Sequence, residues 1–109
     1  MNEPSTKYVA VNELDRLLKK DGEVTLIDAR TSEEFAEGHV PGAINISIVE
    51  LPEFAESRGN ASEDRVVTMC GSSGRGGKAA EILYSHGVRN VLVLEGGLKA
   101  WRDAGFPVE

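Results

Sequence analysis

Five short apolar runs, separated by stretches carrying helix start and stop signals, constrain this chain more than any single residue does. The runs are Tyr8-Val9-Ala10, Val24-Thr25-Leu26-Ile27, Ala43-Ile44-Asn45-Ile46, Val66-Val67-Thr68-Met69 and Val91-Leu92-Val93-Leu94. Each is of strand length and rich in β-branched residues, which reads as buried strand rather than helix. Between the first two, Asn12 is expected to cap a helix with Leu14, Leu17 and Leu18 on one face, Lys19 and Lys20 in its last turn and Gly22 as its stop. Thr31 and Glu34 stand at capping-box spacing, which predicts a brief helix over residues 32–37 ending at Gly38. His39-Val40-Pro41-Gly42 reads as a turn, because proline presets one dihedral and glycine permits the next.

Pro52 suits the first turn of a short helix running to about Ser57, and residues 58–64 form a polar loop. A helix is predicted over residues 78–86 and closed by Gly87; Gly96 and Gly97 turn the chain into a last helix carrying Trp101, ending near Gly105 and Pro107. Strands alternating with helices imply an α/β fold in which a parallel sheet is covered on both faces. At 109 residues the chain suits one domain, placed at residues 7–109, behind a polar tail of residues 1–6 expected to be flexible. In open sheets of this kind ligands bind at the carboxyl ends of the strands.

One cysteine, Cys70, stands at such an end, where Met69 gives way to Gly71-Ser72-Ser73-Gly74-Arg75-Gly76-Gly77. A lone cysteine excludes an internal disulfide framework and a cysteine-rich zinc site. The beginning of the chain shows no signal-peptide apolar region, and no later apolar run is long enough to cross a bilayer. These features lead to the expectation of a cytoplasmic protein in a thiol-reducing compartment. A net charge of −6 argues against nucleic-acid or acidic-membrane partners. Yet between Val66 and Ala80 the charged side chains are Arg75 and Lys78, both positive. That contrast suggests a small anionic ligand.

The glycines at 71, 74, 76 and 77 let a loop curl with its amides inward, and the helix that follows presents the positive end of its dipole. Such groups favour an anion, and the thiolate is the nucleophilic form of cysteine. The plainer alternative, a buried cysteine acting as a small apolar residue, fits poorly with four glycines and an arginine directly after it. Arg75 offers a fork of donors to an oxyanion, and Ser72 and Ser73 are small enough to turn N–H and hydroxyl groups toward the ligand. Arg30, at the tip of the strand ending in Asp28, is balanced between contacting the ligand and pairing internally with Asp28. His86 lies at the far end of the next helix and His39 in a turn, so neither is placed as a base or metal ligand. Trp101, Phe35, Phe54 and Phe106 read as core.

At these residues the chain resembles the rhodanese-like family of single-domain sulfurtransferases. Asp28-Ala29-Arg30, Glu34-Phe35 and Gly38-His39-Val40-Pro41-Gly42-Ala43-Ile44-Asn45-Ile46 look like the family's first signature. Cys70 with Arg75 and Ala79-Ala80 looks like its active-site loop. Leu94-Glu95-Gly96-Gly97-Leu98, Trp101 and Gly105-Phe106-Pro107-Val108 look like its C-terminal signature. The resemblance implies a three-layer α/β fold and a catalytic Cys70 that carries sulfur as a persulfide without other cofactor or metal. It further implies that residues 71 to 76 and Arg75 hold a donor such as thiosulfate, and that cyanide, a small thiol or a protein thiol accepts the sulfur. A monomer or weak dimer is expected. Gly76, where the family often has serine, and Ser73, where it often has glycine, depart from the pattern.

Two other readings stand beside this one. A phosphatase of the same fold uses a loop one residue longer, and the cysteine-x4-arginine spacing from Cys70 to Arg75 favours sulfur over phosphorus. A protein-docking or sulfur-relay module with little small-molecule turnover is the second, and an intact Cys70 and Arg75 count against its non-catalytic form.

Overall fold

The computed structural model describes residues 7–20, 24–58, 65–70, 75–88 and 91–109. Among them, the chain alternates between strand and helix: β1 (Tyr8–Val9), α1 (Val11–Lys19), β2 (Val24–Asp28), α2 (Ser32–Glu37), β3 (Ile44–Asn45), α3 (Leu51–Arg58), β4 (Arg65–Met69), α4 (Arg75–Ser85), β5 (Val91–Leu94) and α5 (Gly97–Asp103). The strands form one sheet in the order β1-β5-β4-β2-β3. Every pairing is parallel. β4 therefore lies at the centre of the sheet and β1 and β3 at its edges.

Alternation along the strands sorts side chains into two cores. Leu26, Val67, Met69 and Leu94 point to the face covered by α1 and α5, where they pack with Leu14, Leu98 and Trp101. Ile27 and Val66 point the other way, onto Leu51 and Ala55 of α3 and Ala79 and Leu83 of α4. Consecutive residues facing opposite layers, with helices over both, is the pattern that a parallel sheet buried on both faces requires. Trp101 is buried, and its indole Nε1 donates to the Pro107 carbonyl at 2.7 Å. The three phenylalanines expected in the core are half-buried instead: Phe54 and Phe106 pack against the two clusters, and Phe35 stacks on the His39 ring at 3.7 Å.

Several local signals act as the sequence suggests. Thr31 Oγ1 accepts from the Glu34 amide at 3.1 Å, and Glu34 Oε1 accepts from the Thr31 amide at 3.0 Å, so α2 opens with a reciprocal box. The 40–43 turn closes with the Ala43 amide donating to the Val40 carbonyl at 3.0 Å, and Gly42 takes a φ of 90°, a value that the second central position of a type II turn demands.

Other boundaries differ. Helix α1 starts at Val11 behind Ala10, not at an Asn12 cap; the Ala10 amide instead donates to Glu13 Oε1 at 3.4 Å. Helix α4 begins at Arg75, three residues before the expected Lys78, and takes Gly76 and Gly77 into its first turn. A 3-10 turn over Ile48–Glu50 precedes α3, with Ser47 and Glu50 bonded reciprocally to it. The 1–6 tail, the Gly22 stop and most of the 58–64 loop lie outside the described residues.

Candidate active site

Parallel pairing brings the carboxyl ends of β2, β4 and β5 to one edge. Cys70 is the first residue past the end of β4, and 2 % of its surface is exposed. Two main-chain bonds hold its backbone. The Met69 carbonyl accepts from the Ala29 amide at 2.9 Å, just past the end of β2. The Cys70 carbonyl accepts from the Leu98 amide at 2.8 Å, in the first turn of α5. Successive carbonyls of β4 point to opposite neighbours, so the strand end is held from both sides.

The α5 contact depends on the turn before it. Gly96 takes a φ of 78° and Gly97 a φ of 61°, in the left-handed region. A Cβ on Gly96 would also lie 2.5 Å from the Ala100 Cβ. The Gly96-Gly97 pair thus lets the chain reverse from β5 into α5 and set the Leu98 amide on the Cys70 carbonyl.

The loop that the sequence placed around a ligand, Gly71, Ser72, Ser73 and Gly74, lies outside the described residues. Of Arg75 and Gly76 the helical backbone is described and nothing of the side chains. Arg75 is the first residue of α4, so the chain passes from the cysteine to the amino end of an eleven-residue helix within five positions. Lys78 is exposed on that helix.

Arg30 is fully placed. Its Nε donates to Asp28 Oδ1 at 2.9 Å, its Nη2 to Asp28 Oδ2 at 2.8 Å and to the Gly38 carbonyl at 2.6 Å. Asp28 is 0 % exposed and Arg30 is 6 % exposed. Of its two expected roles the structure shows the internal pair with Asp28. The physical reason is desolvation: a carboxylate as buried as Asp28 requires a partner that satisfies both oxygens, and Nε and Nη2 of Arg30 do so.

Asn45 stands in a predicted strand and in the first signature of the resemblance, with no role of its own expected for it. Its Nδ2 donates to the Asp28 carbonyl at 3.1 Å and to the Arg30 carbonyl at 2.9 Å. His39 bonds its local backbone, as its turn position suggested, with Nδ1 2.9 Å from the Phe35 carbonyl. His86 sits at the end of α4 with Nδ1 3.0 Å from the Ile82 carbonyl. Among the described residues no group of three or more His, Cys, Asp or Glu side chains is placed to hold a metal ion, and no helix is long and apolar enough to cross a membrane.

A doubly covered parallel sheet with a cysteine at the carboxyl end of its central strand defines a recognisable class. Residues 10–104 match the family model of the rhodanese-like domain. The chain belongs to that family. It is 33 % identical over 101 residues to thiosulfate sulfurtransferase GlpE of Shewanella oneidensis, with 92 % of this chain and 96 % of that protein covered. It is 39 % identical over 108 residues to the HTH-type transcriptional regulator Rv0324 of Mycobacterium tuberculosis, covering 92 % of this chain and 44 % of the regulator. The chain spans about half the length of the first curated relatives it matches.

Among solved structures, a thiosulfate sulfurtransferase from Pseudomonas aeruginosa superposes with a TM-score of 0.84 at 29 % identity, over 99 % of this chain and 20 % of that one. A protein of unknown function from Rhodopseudomonas palustris, titled a possible tyrosine phosphatase, superposes with a TM-score of 0.83 at 25 % identity, over 95 % and 85 %. The rhodanese-like fold and the three-layer architecture are thereby those expected from the sequence.

Proposed function

We propose that the protein is a sulfurtransferase that carries a sulfane sulfur on Cys70, taking it from a small anionic donor such as thiosulfate. The observation that carries this reading is the position of Cys70: one residue past the central strand, held at two carbonyls, with a helix opening at Arg75. In the first step the Cys70 thiolate attacks the outer sulfur of thiosulfate. A new S–S bond forms, the old one breaks, and its electron pair leaves with sulfite. The product is a persulfide anion, so net charge is conserved and no proton moves, in keeping with two histidines that are engaged elsewhere. In the second step an acceptor thiolate or cyanide takes the outer sulfur and Cys70 returns as thiolate.

This reading gives the loop between Cys70 and Arg75 the task of stabilising the anionic sulfur through its amides, and Arg75 that of holding the donor's oxygens. The lone cysteine has no partner in the chain with which to form a disulfide, so the sulfur leaves to another molecule. The proposal includes a thiol-reducing, cytoplasmic setting, where such acceptors persist.

Thiocyanate formation from thiosulfate and cyanide tests the reading. Wild type is expected to turn over, Cys70→Ser to be inactive, and Arg75→Ala to need more thiosulfate. The likeness to the Rhodopseudomonas palustris structure favours a phosphatase as the second reading. Release of phosphate from an aryl phosphate that disappears in Cys70→Ser, without thiocyanate formation, would select it.

A further inference from the structure

The three residues at the tip of β2 carry more polar bonding than ending a strand requires. Asp28 and Arg30 are joined through their side chains by the buried pair, and the Arg30 amide donates to Asp28 Oδ1 at 3.1 Å. Their carbonyls are joined by Asn45, whose single side-chain amide reaches both. The Ile46 amide adds a third bond to this tip, onto the Asp28 carbonyl at 3.1 Å. All of these bonds bracket Ala29. The amide of Ala29 is the group that holds the Met69 carbonyl, one residue before the thiol.

Asn45 is able to do this because β3 pairs with β2 in register at Asp28, which sets the two residues side by side. β3 itself is a two-residue edge strand with little apolar burial, Ile44 being 48 % exposed. Its bonding is therefore directed at the β2 tip more than at a core. On the opposite side, Leu98 holds the Cys70 carbonyl.

We propose that Asn45 is a positioning residue for Cys70: by gripping the carbonyls on both sides of Ala29, it fixes the Ala29 amide on Met69 and so the backbone that presents the thiol. The inference rests on Cys70 being the nucleophile. Asn45 touches no reacting atom and acts only through the tip of β2. Asn45→Asp keeps the shape while removing both donors and placing a carboxylate against two carbonyls. Asn45→Ser leaves one short donor and serves if the aspartate variant does not fold.

The test compares these variants with Gly87→Ala, which strains the turn after α4, where φ is 92°, and touches none of the Asn45 bonds. Thiosulfate–cyanide kinetics and alkylation of Cys70 by iodoacetamide are measured well below each protein's melting temperature. A displaced nucleophile is expected to lower kcat about tenfold with KM within about twofold, since sub-ångström misplacement costs rate more than binding. The alkylation rate of folded protein is expected to change by roughly threefold or more for the same reason. Gly87→Ala is expected to leave both unchanged at a similar loss of melting temperature. Unchanged kcat and alkylation in folded Asn45 variants, or equal losses in Gly87→Ala, would overturn the proposal. If wild type makes no thiocyanate, the sulfurtransferase reading fails, and the alkylation rates still decide the role of Asn45.

Discussion

The neighbouring tips of β2 and β4 end at the same edge of the sheet but use their polar groups in opposite ways. At the β2 tip, charge is turned inward: Asp28 and Arg30 are buried, satisfy each other and Gly38, and are closed over by Asn45. At the β4 tip the main-chain carbonyls of Met69 and Cys70 are held from the two sides, and the thiol is set where the chain leaves the sheet for α4. The lesson is that an arginine near a nucleophile is not by that fact a ligand group. Here a buried carboxylate two residues away takes both Nε and Nη2 of its guanidinium.

The largest effect expected on the β2 side comes from breaking the pair. Arg30→Ala leaves Asp28 buried and unpaired, and removing one member of such a pair costs about 3–5 kcal/mol. Chemical denaturation should show that loss, or a chain that no longer folds. Arg30→Lys, if folded, should leave the thiosulfate KM near the wild-type value, because Nε and Nη2 of the arginine are engaged by Asp28 and Gly38. A large rise in KM with unchanged stability would return Arg30 to the ligand.

A smaller effect is expected from the α5 side of the bracket. Gly96→Ala combines a φ of 78° with a Cβ 2.5 Å from the Ala100 Cβ, so the turn must shift. Holding a non-glycine residue in that region costs on the order of 1–3 kcal/mol. Thermal melting of Gly96→Ala and of Gly96→Ala with Ala100→Gly checks this. The second substitution should recover the part due to the clash and leave the part due to φ.

Smaller again is Trp101→Phe, which keeps much of the ring in the core but removes the bond to the Pro107 carbonyl. A loss of about 1 kcal/mol is expected for that bond. The exposed Lys99–Asp103 pair stands at the bottom of the scale, with both side chains about two-thirds exposed or more. Its removal in Lys99→Ala should leave the melting temperature unchanged, as solvent-exposed pairs generally contribute little.

The parts of this molecule legible in its sequence are those fixed by nearby residues. Thr31 and Glu34 sit three apart and build the α2 cap themselves. Pro41 and Gly42 set their own turn, and the apolar run before Cys70 makes it the end of a strand. Ser47 and Glu50 carry the same local spacing as Thr31 and Glu34, so the short 3-10 turn was written in the chain and went unread. The start of α4 went unread for another reason. Gly76 and Gly77 are poor helix formers, but Ala79 and Leu83 dock the helix on the sheet, and packing overrides propensity.

The bonds of Asn45 are not legible in the sequence because its partners lie 15 and 17 residues earlier in the chain and meet it only through parallel pairing. The two roles of Arg30 were likewise inseparable by sequence, since both require an arginine at the end of a strand. Burial of Asp28 accounts for the internal pair, and burial is a property of the assembled sheet.

The intact mass of the protein after exposure to thiosulfate tests the central claim most directly. The account predicts a gain of one sulfur atom in wild type, removed by cyanide as thiocyanate, and no gain in Cys70→Ser. An unchanged mass in wild type, or an equal gain in Cys70→Ser, would contradict it.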